Sequence, residues 1–143
     1  MPMKKFLTGI VLLAACTQTA SAATPPYPAR PIRMIAPISA GGGADVAARL
    51  LAKSLTDTLQ QQVIIDNRSG AGGTVGGRAT ATATPDGYTL LMGSSSSLVL
   101  GPILFSNAGY VPTKSFSPIS QVSNQPFIIV APTSLKVETL GQF

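Results

Sequence analysis

Val63-Ile64-Ile65-Asp66-Asn67-Arg68-Ser69-Gly70-Ala71-Gly72-Gly73-Thr74 is the stretch on which the fold turns. A β-branched run opens it, and such residues fit a pleated, half-buried strand. A glycine cluster follows, where the backbone can turn sharply and come close to a ligand. Small residues then lead away from Thr74 in a pattern compatible with a helix packed tightly on a sheet. The same order stands upstream. Ile32-Arg33-Met34-Ile35-Ala36 reads as a buried strand, and Pro37-Ile38-Ser39-Ala40-Gly41-Gly42-Gly43-Ala44-Asp45 leads into a second helical pattern. A helix start offers unpaired N–H groups and a partial positive charge. Two such mouths side by side predict a pocket for a small anion such as a carboxylate.

Working outward, the spacing predicts a helix over 44–60, with Val46, Leu50, Leu51, Leu55 and Leu59 as its apolar stripe. Arg49, Lys53 and Asp57 fall on the opposite, solvated face. A second helix is expected over 74–83, and Pro85-Asp86-Gly87 is a turn signal. Tyr88-Thr89-Leu90-Leu91-Met92 reads as a third strand that runs into Gly93 and the four serines Ser94 to Ser97. Strand, helix, strand, helix, strand implies an α/β fold with a parallel sheet and right-handed crossovers. Ligands on such sheets sit beyond the carboxyl ends of the strands, which is where both glycine clusters and the serine run fall. Further on, 98–105 reads as a short helix interrupted by Gly101-Pro102, and 107–113 as a loop. Residues 116–122 and 127–131 read as two more strands, and 137–143 as the start of a helix.

Composition narrows the chemistry. The chain has no histidine and one cysteine, Cys16, so the usual general base, metal ligand and Ser-His pair are missing. Five acids, Asp45, Asp57, Asp66, Asp86 and Glu138, are scattered without a spacing that suggests acid–base work or a cation cage. No catalytic residue, cofactor or metal site is expected. The formal charge is +5, and eight basic against five acidic residues leave +3 if Lys4 and Lys5 are removed. Basic residues form no run, so nucleic acid is not an expected partner.

Lys4-Lys5, the apolar residues 6–15 and Ala20-Ser21-Ala22 follow the order of a secretory signal peptide, expected over 1–22. The apolar part is short for a membrane span. Leu13-Ala14-Ala15-Cys16 resembles a bacterial lipobox, but the cleavage site downstream favours loss of Cys16 with the leader. Pro25-Pro26-Tyr27-Pro28 and Pro31 make a stiff lead-in to the first strand. Leu140-Gly141-Gln142-Phe143 reads as the opening of another element, so a fragment is expected.

The glycine clusters also invite a nucleotide reading. A dinucleotide fingerprint needs G-x-G-x-x-G, and both clusters place a valine, Val46 or Val75, at the third glycine. Asp66 does stand about where a ribose-binding acid would. A dinucleotide-dependent enzyme is therefore the minor alternative, beside a gene fragment without function. The serine run lacks the G-x-S-x-G elbow, so its hydroxyls read as neutral donors. Asp45 reads as a structural partner of first-turn N–H groups, Arg78 as an exposed helix residue, and Arg68 as structural.

Four blocks in order carry a resemblance: Tyr27-Pro28-Ala29-Arg30-Pro31-Ile32, Gly41-Gly42-Gly43-Ala44-Asp45, Asp66-Asn67-Arg68-Ser69-Gly70-Ala71-Gly72-Gly73, and Pro85-Asp86-Gly87-Tyr88-Thr89-Leu90. Together they resemble the substrate-binding proteins of tripartite tricarboxylate transporters, the Bug receptors. Ile38 departs from that pattern where an aromatic is common, and Ala44 where a hydroxyl residue is common. The resemblance implies a two-lobed periplasmic binding-protein fold, of which residues 23–143 would be a partial N-terminal lobe. It implies a monomeric receptor in the periplasm that binds a small organic anion and delivers it to membrane transporter subunits. By position, Ile38, Ser39, Ala40, Gly41, Gly42, Gly43, Ala71, Gly72, Gly73, Thr74, Ser94 and Ser95 would line this lobe's half of the cleft.

Overall fold

The computed structural model describes residues 26–126, 128–136 and 139–142. The expected leader over 1–22, with Cys16, lies outside the described residues, as do Phe127, Val137, Glu138 and Phe143.

β1 (Ile32–Ala36), α1 (Gly43–Leu59), β2 (Val63–Asn67), α2 (Thr74–Ala81) and β3 (Thr89–Leu91) follow one another along the chain. The strands form a parallel sheet in the order β2-β1-β3. Met34 pairs in register with Ile65 on one side and Leu90 on the other, and Ile35 with Asp66 and Leu91. The two crossovers run in opposite directions along the sheet, so right-handed connections set α1 and α2 on opposite faces.

Alternation along β1 supplies both cores. Ile32 and Met34 join Val63 and Ala52 in one buried cluster, with Leu51, Leu55 and Leu59 of α1 packed against it. Ile35, 0% exposed, belongs to the other face, and α2 packs on β1 and β3. Each such buried side chain stabilises the fold by about 1.5–3 kcal/mol. The surface pair Lys53–Asp57, at 3.9 Å and largely exposed, adds about 0–1 kcal/mol. Apolar burial wins.

The expected stripe of α1 packs inward at Leu51, Leu55 and Leu59 but not at Val46 and Leu50. The helix buries Asp45, Ala48 and Ala52, while Val46 is 52% and Leu50 65% exposed. Small alanines let the helix approach the sheet closely, which turns Val46 and Leu50 outward. The solvated face of Arg49, Lys53 and Asp57 is exposed as expected. Thr56 closes the far end: its Oγ1 donates to Ala52 O at 2.8 Å and accepts from Val63 N at 3.0 Å.

After β3 the chain makes a π-helical turn, Ser96–Leu100, that runs directly into the short helix α3 (Gly101–Leu104). Pro102 sits in the first turn of α3, where its missing N–H costs nothing, so Gly101-Pro102 joins the two turns instead of interrupting one helix. The helical turn α4 (Pro112–Ser115) begins inside the expected loop. The two further strands do not form: the described residues of 116–122 and 127–131 carry no strand, and Ile119, Ile128, Ile129 and Val130 are exposed. A strand needs a neighbour to bond its backbone, and none of the described residues supplies one. At the end of the chain a single 3-10 turn, Leu140–Gln142, stands within the expected helix.

Candidate functional site

The loops that follow β1, β2 and β3 all leave the same, carboxyl edge of the sheet. The strand order reverses at β1, and the carboxyl edge at such a reversal is where open α/β sheets bind ligands. Gly73 is the point of convergence. Its φ is +90°, and a Cβ added there would stand 2.8 Å from Ser97 Cβ and 3.3 Å from Pro37 O. Only glycine permits that meeting of three loops. Gly76 repeats the closeness one turn later, with Pro37 Cα 2.9 Å and Arg68 O 3.0 Å from the position of a Cβ.

The first loop is held from below. Asp45, buried in the first turn of α1, accepts at Oδ2 from Gly41 N (3.0 Å) and from Arg49 Nε (2.8 Å), and at Oδ1 from Asn67 Nδ2 (2.8 Å). Its carboxyl is held well below the usual carboxylate range, first by Arg49, then by the Gly41 N–H and Asn67. Asp45 is thus structural as expected, but its partners differ: it reaches back to Gly41, one residue before the helix cap Gly42, while the N–H groups of Asp45 and Val46 donate to Gly42 O. Among the described residues the Gly43 N–H has no hydrogen-bond partner, and the Gly42 N–H closes only a loose turn toward Ser39 O. They stand exposed at the positive end of a 17-residue helix.

Of the expected lining, Ser39, Ala40, Gly41, Gly42, Gly43, Ala71, Gly72 and Ser95 are exposed at this edge, and Ile38 and Ser94 are half-buried. Gly73 and Thr74 are buried, and Thr74 Oγ1 donates to Ala71 O at 3.0 Å, which shapes the second loop. Ser94 N donates to Ser97 Oγ at 3.0 Å, and the Ser94 Oγ lies 3.0 Å from Ser96 Oγ.

Several residues that matter here carry no special mark in the sequence. Ser97 is the fully buried one of four consecutive serines, and the Tyr110 hydroxyl donates to its carbonyl. Tyr110 in turn lies where Gly77 has no side chain. Arg78 is exposed as expected, yet its guanidinium donates to the carbonyls of Asn107 and Ala108 and ties that loop to α2. Asn67 and Arg49 were legible only as a strand end and a solvated face; the four-residue step from Asp45 to Arg49 was the available signal. Asp66 accepts from Arg68 Nε at 2.9 Å and faces Arg33 Nη1 at 3.7 Å.

The carboxyl edge is an open surface. A cavity of about 410 Å³ lies at the opposite end of the strands, lined by Arg30, Arg33, Thr84, Asp86 and Tyr88 among others. There Arg30 is occupied by Asp86 at 2.6 Å and stacks over Tyr88. Among the described residues no helix is long and apolar enough to cross a membrane, and no cluster of His, Cys, Asp or Glu could hold a metal ion.

Comparison with known proteins agrees with this geometry. Residues 47–143 match the family described as Tripartite tricarboxylate transporter family receptor. Protein BugT of Bordetella pertussis is 42% identical over 142 residues, which is 98% of this chain and 44% of BugT. The solved periplasmic binding protein BugD is 43% identical, with a TM-score of 0.59 over 65% of this chain and 31% of BugD. MatC of Rhodopseudomonas palustris, solved with bound malate, is 37% identical, with a TM-score of 0.61 over 64% of this chain and 31% of MatC. The chain spans less than half the length of the curated relatives it matches. Its parallel-sheet lobe is that of a periplasmic binding protein, and the chain belongs to the tripartite tricarboxylate transporter receptor family.

Proposed function

We propose that the chain supplies the N-terminal lobe, residues 23–143, of an exported monomeric receptor that binds a small organic carboxylate and hands it to membrane transporter subunits. Residues 1–22 act as its export signal, and the periplasm is its compartment. The observation that carries the reading is the exposed Gly42–Gly43 start of α1, with the Gly43 N–H unpartnered, at the mouth where three loops meet around Gly73. The bound malate of MatC supports the ligand class.

Binding at such a mouth is non-covalent. Backbone N–H groups and the α1 dipole attract a carboxylate, and the Ser95 hydroxyl adds a neutral donor. Asp45 sits directly below, but Arg49 at 2.8 Å offsets its charge. Closure around a ligand takes two lobes, so residues 23–143 taken by themselves are expected to bind weakly, on the order of millimolar.

Titration of the ¹⁵N-labelled chain with malate at neutral pH tests this. The expected result is movement of the Gly42, Gly43, Gly72 and Ser95 amide signals, with no movement when the neutral diamide of malate is added. Equal shifts with the diamide, or shifts confined to the surroundings of Arg30 and Arg33, would overturn the proposal.

A further inference from the structure

The network beneath the first loop does more than hold a helix end. Asp45 is buried, its side chain 3% exposed, and it serves three donors from three segments: Gly41 of the β1 loop, Arg49 of α1, and Asn67 at the end of β2. The Asn67 amide reaches further, placing a second Nδ2 hydrogen bond on Ile38 O at 3.3 Å. The first binding loop is therefore gripped at both ends, at Ile38 and at Gly41. One grip comes directly from the carboxylate, and the other comes from the residue that opens the second loop. Beside it, Arg68 N donates to Ala36 O at 2.8 Å and keeps the ends of β1 and β2 in step.

Gly41, at φ +88°, has nothing within 4 Å of where a Cβ would be. Glycine is thus tolerated there for its backbone angle and not for space, and at Gly41 no side chain packs to hold the loop in place. Left alone, a run of Ala40-Gly41-Gly42-Gly43 would sample many conformations. The polar grip selects one of them, the one in which the Gly42 and Gly43 N–H groups face outward from the helix start.

We infer that Asp45 and Asn67 are positioning residues: a carboxylate–amide latch that fixes the Ile38–Gly41 loop to the mouth of the second loop and so presets the Gly42 and Gly43 N–H groups for a carboxylate. The inference rests on the receptor reading for what is bound, but the latch itself is a property of the unliganded chain. Arg49 has a different part. It donates to both members of the latch, Nε to Asp45 Oδ2 at 2.8 Å and Nη2 to Asn67 Oδ1 at 3.1 Å, so it braces the latch as well as cancelling the charge that would otherwise repel an anion.

Amide hydrogen exchange on the full chain, with and without malate, separates these parts. In Asp45→Ala and Asn67→Ala, the Gly41 amide should exchange faster by about tenfold, while the Met34 and Ile65 amides of the sheet keep their wild-type rates. The affinity for malate should fall by a similar factor. Asp45→Asn, which retains one acceptor oxygen, should recover part of the loop protection and serves if Asp45→Ala does not fold. Arg49→Met, which removes a donor from both latch residues but leaves their bonds to the loop, should raise Gly41 exchange by less than either alanine variant and weaken malate binding. Unchanged loop exchange in both alanine variants overturns the latch, as does a parallel rise in loop and sheet exchange, which is the mark of mere loss of stability. A wild-type chain that ignores malate overturns the receptor reading alone, because the ligand-free exchange still decides the latch.

Discussion

Ile35 and Ile129 are the same residue in two runs of similar character, Met34-Ile35-Ala36 and Ile128-Ile129-Val130, and their fates differ completely. Ile35 is 0% exposed in a strand with registered neighbours on both sides, while Ile129 is 80% exposed. Intrinsic preference does not distinguish them. What distinguishes them is company: β1 finds Val63–Asn67 and Thr89–Leu91 within the described chain, and 128–130 finds no strand there. Strand preference describes fit to a pleated, half-buried surface, and without that surface the same residues stay extended and wet. The contrast also separates the region that carries the site from the region that does not. All three loops at the carboxyl edge belong to strands with partners.

The sharpest way to break this contrast is to truncate both isoleucines. Ile35→Ala should destabilise the chain by about 2–5 kcal/mol, because the site is enclosed and a cavity remains. Ile129→Ala should change stability by less than about 0.5 kcal/mol. Urea unfolding followed by circular dichroism reads both. Comparable losses in the two variants would mean that 128–130 is packed in solution and that the contrast is false.

A smaller effect tests whether the loops converge within the ordered region. Gly73→Ala must place a methyl 2.8 Å from Ser97 Cβ at a φ of +90°, and overpacking of this kind costs about 1–3 kcal/mol. Gly43→Ala has open space around it inside the first turn of α1, and should stabilise the chain by about 0.4–1 kcal/mol. Two glycines of the same functional mouth therefore predict opposite signs in a thermal melt. Equal losses would show that the Gly73 position is not crowded.

These pairs show what was legible beforehand and why. The three strands, both long helices and the common edge of their loops follow from local runs and spacing, because each element meets a partner close by in the chain. The Gly73 meeting point was visible as a cluster, though its contact with Ser97 was not, since nothing marks one serine of four. The stripe on α1 was right at Leu51, Leu55 and Leu59 and wrong at Val46 and Leu50. Ala48 and Ala52 take the sheet because a close approach buries more than a bulky side chain held at a distance. Asp45, Arg49 and Asn67 came from two separate stretches, and only the parallel register of β1 and β2 brings Asn67 beneath the loop. The missing strands at 116–122 and 128–131 fail for the reason already given: pairing is not written in the run itself.

Acid offers the finest distinction between the two regions. Asp45 has an ordinary value of 3.8 and is held below it in the folded chain. Its contribution to stability is therefore complete above that value and is lost as pH falls through the lower, folded one. The segment 116–136 contains no acidic residue, so acid has no carboxylate to act on there. As pH is lowered beneath 3.8, wild-type thermal stability should fall more steeply than that of Asp45→Asn. The first amides to move should be Gly41 and Gly42, with those of 128–130 unmoved. The effect is smaller than a lost core isoleucine because one surface-linked network weakens while Ile32, Met34 and Ile35 stay buried. Identical slopes in wild type and variant would mean that the carboxylate of Asp45 gains nothing from Arg49, Gly41 and Asn67. The ordered edge would then owe its shape to packing around Gly73 and Gly76 alone.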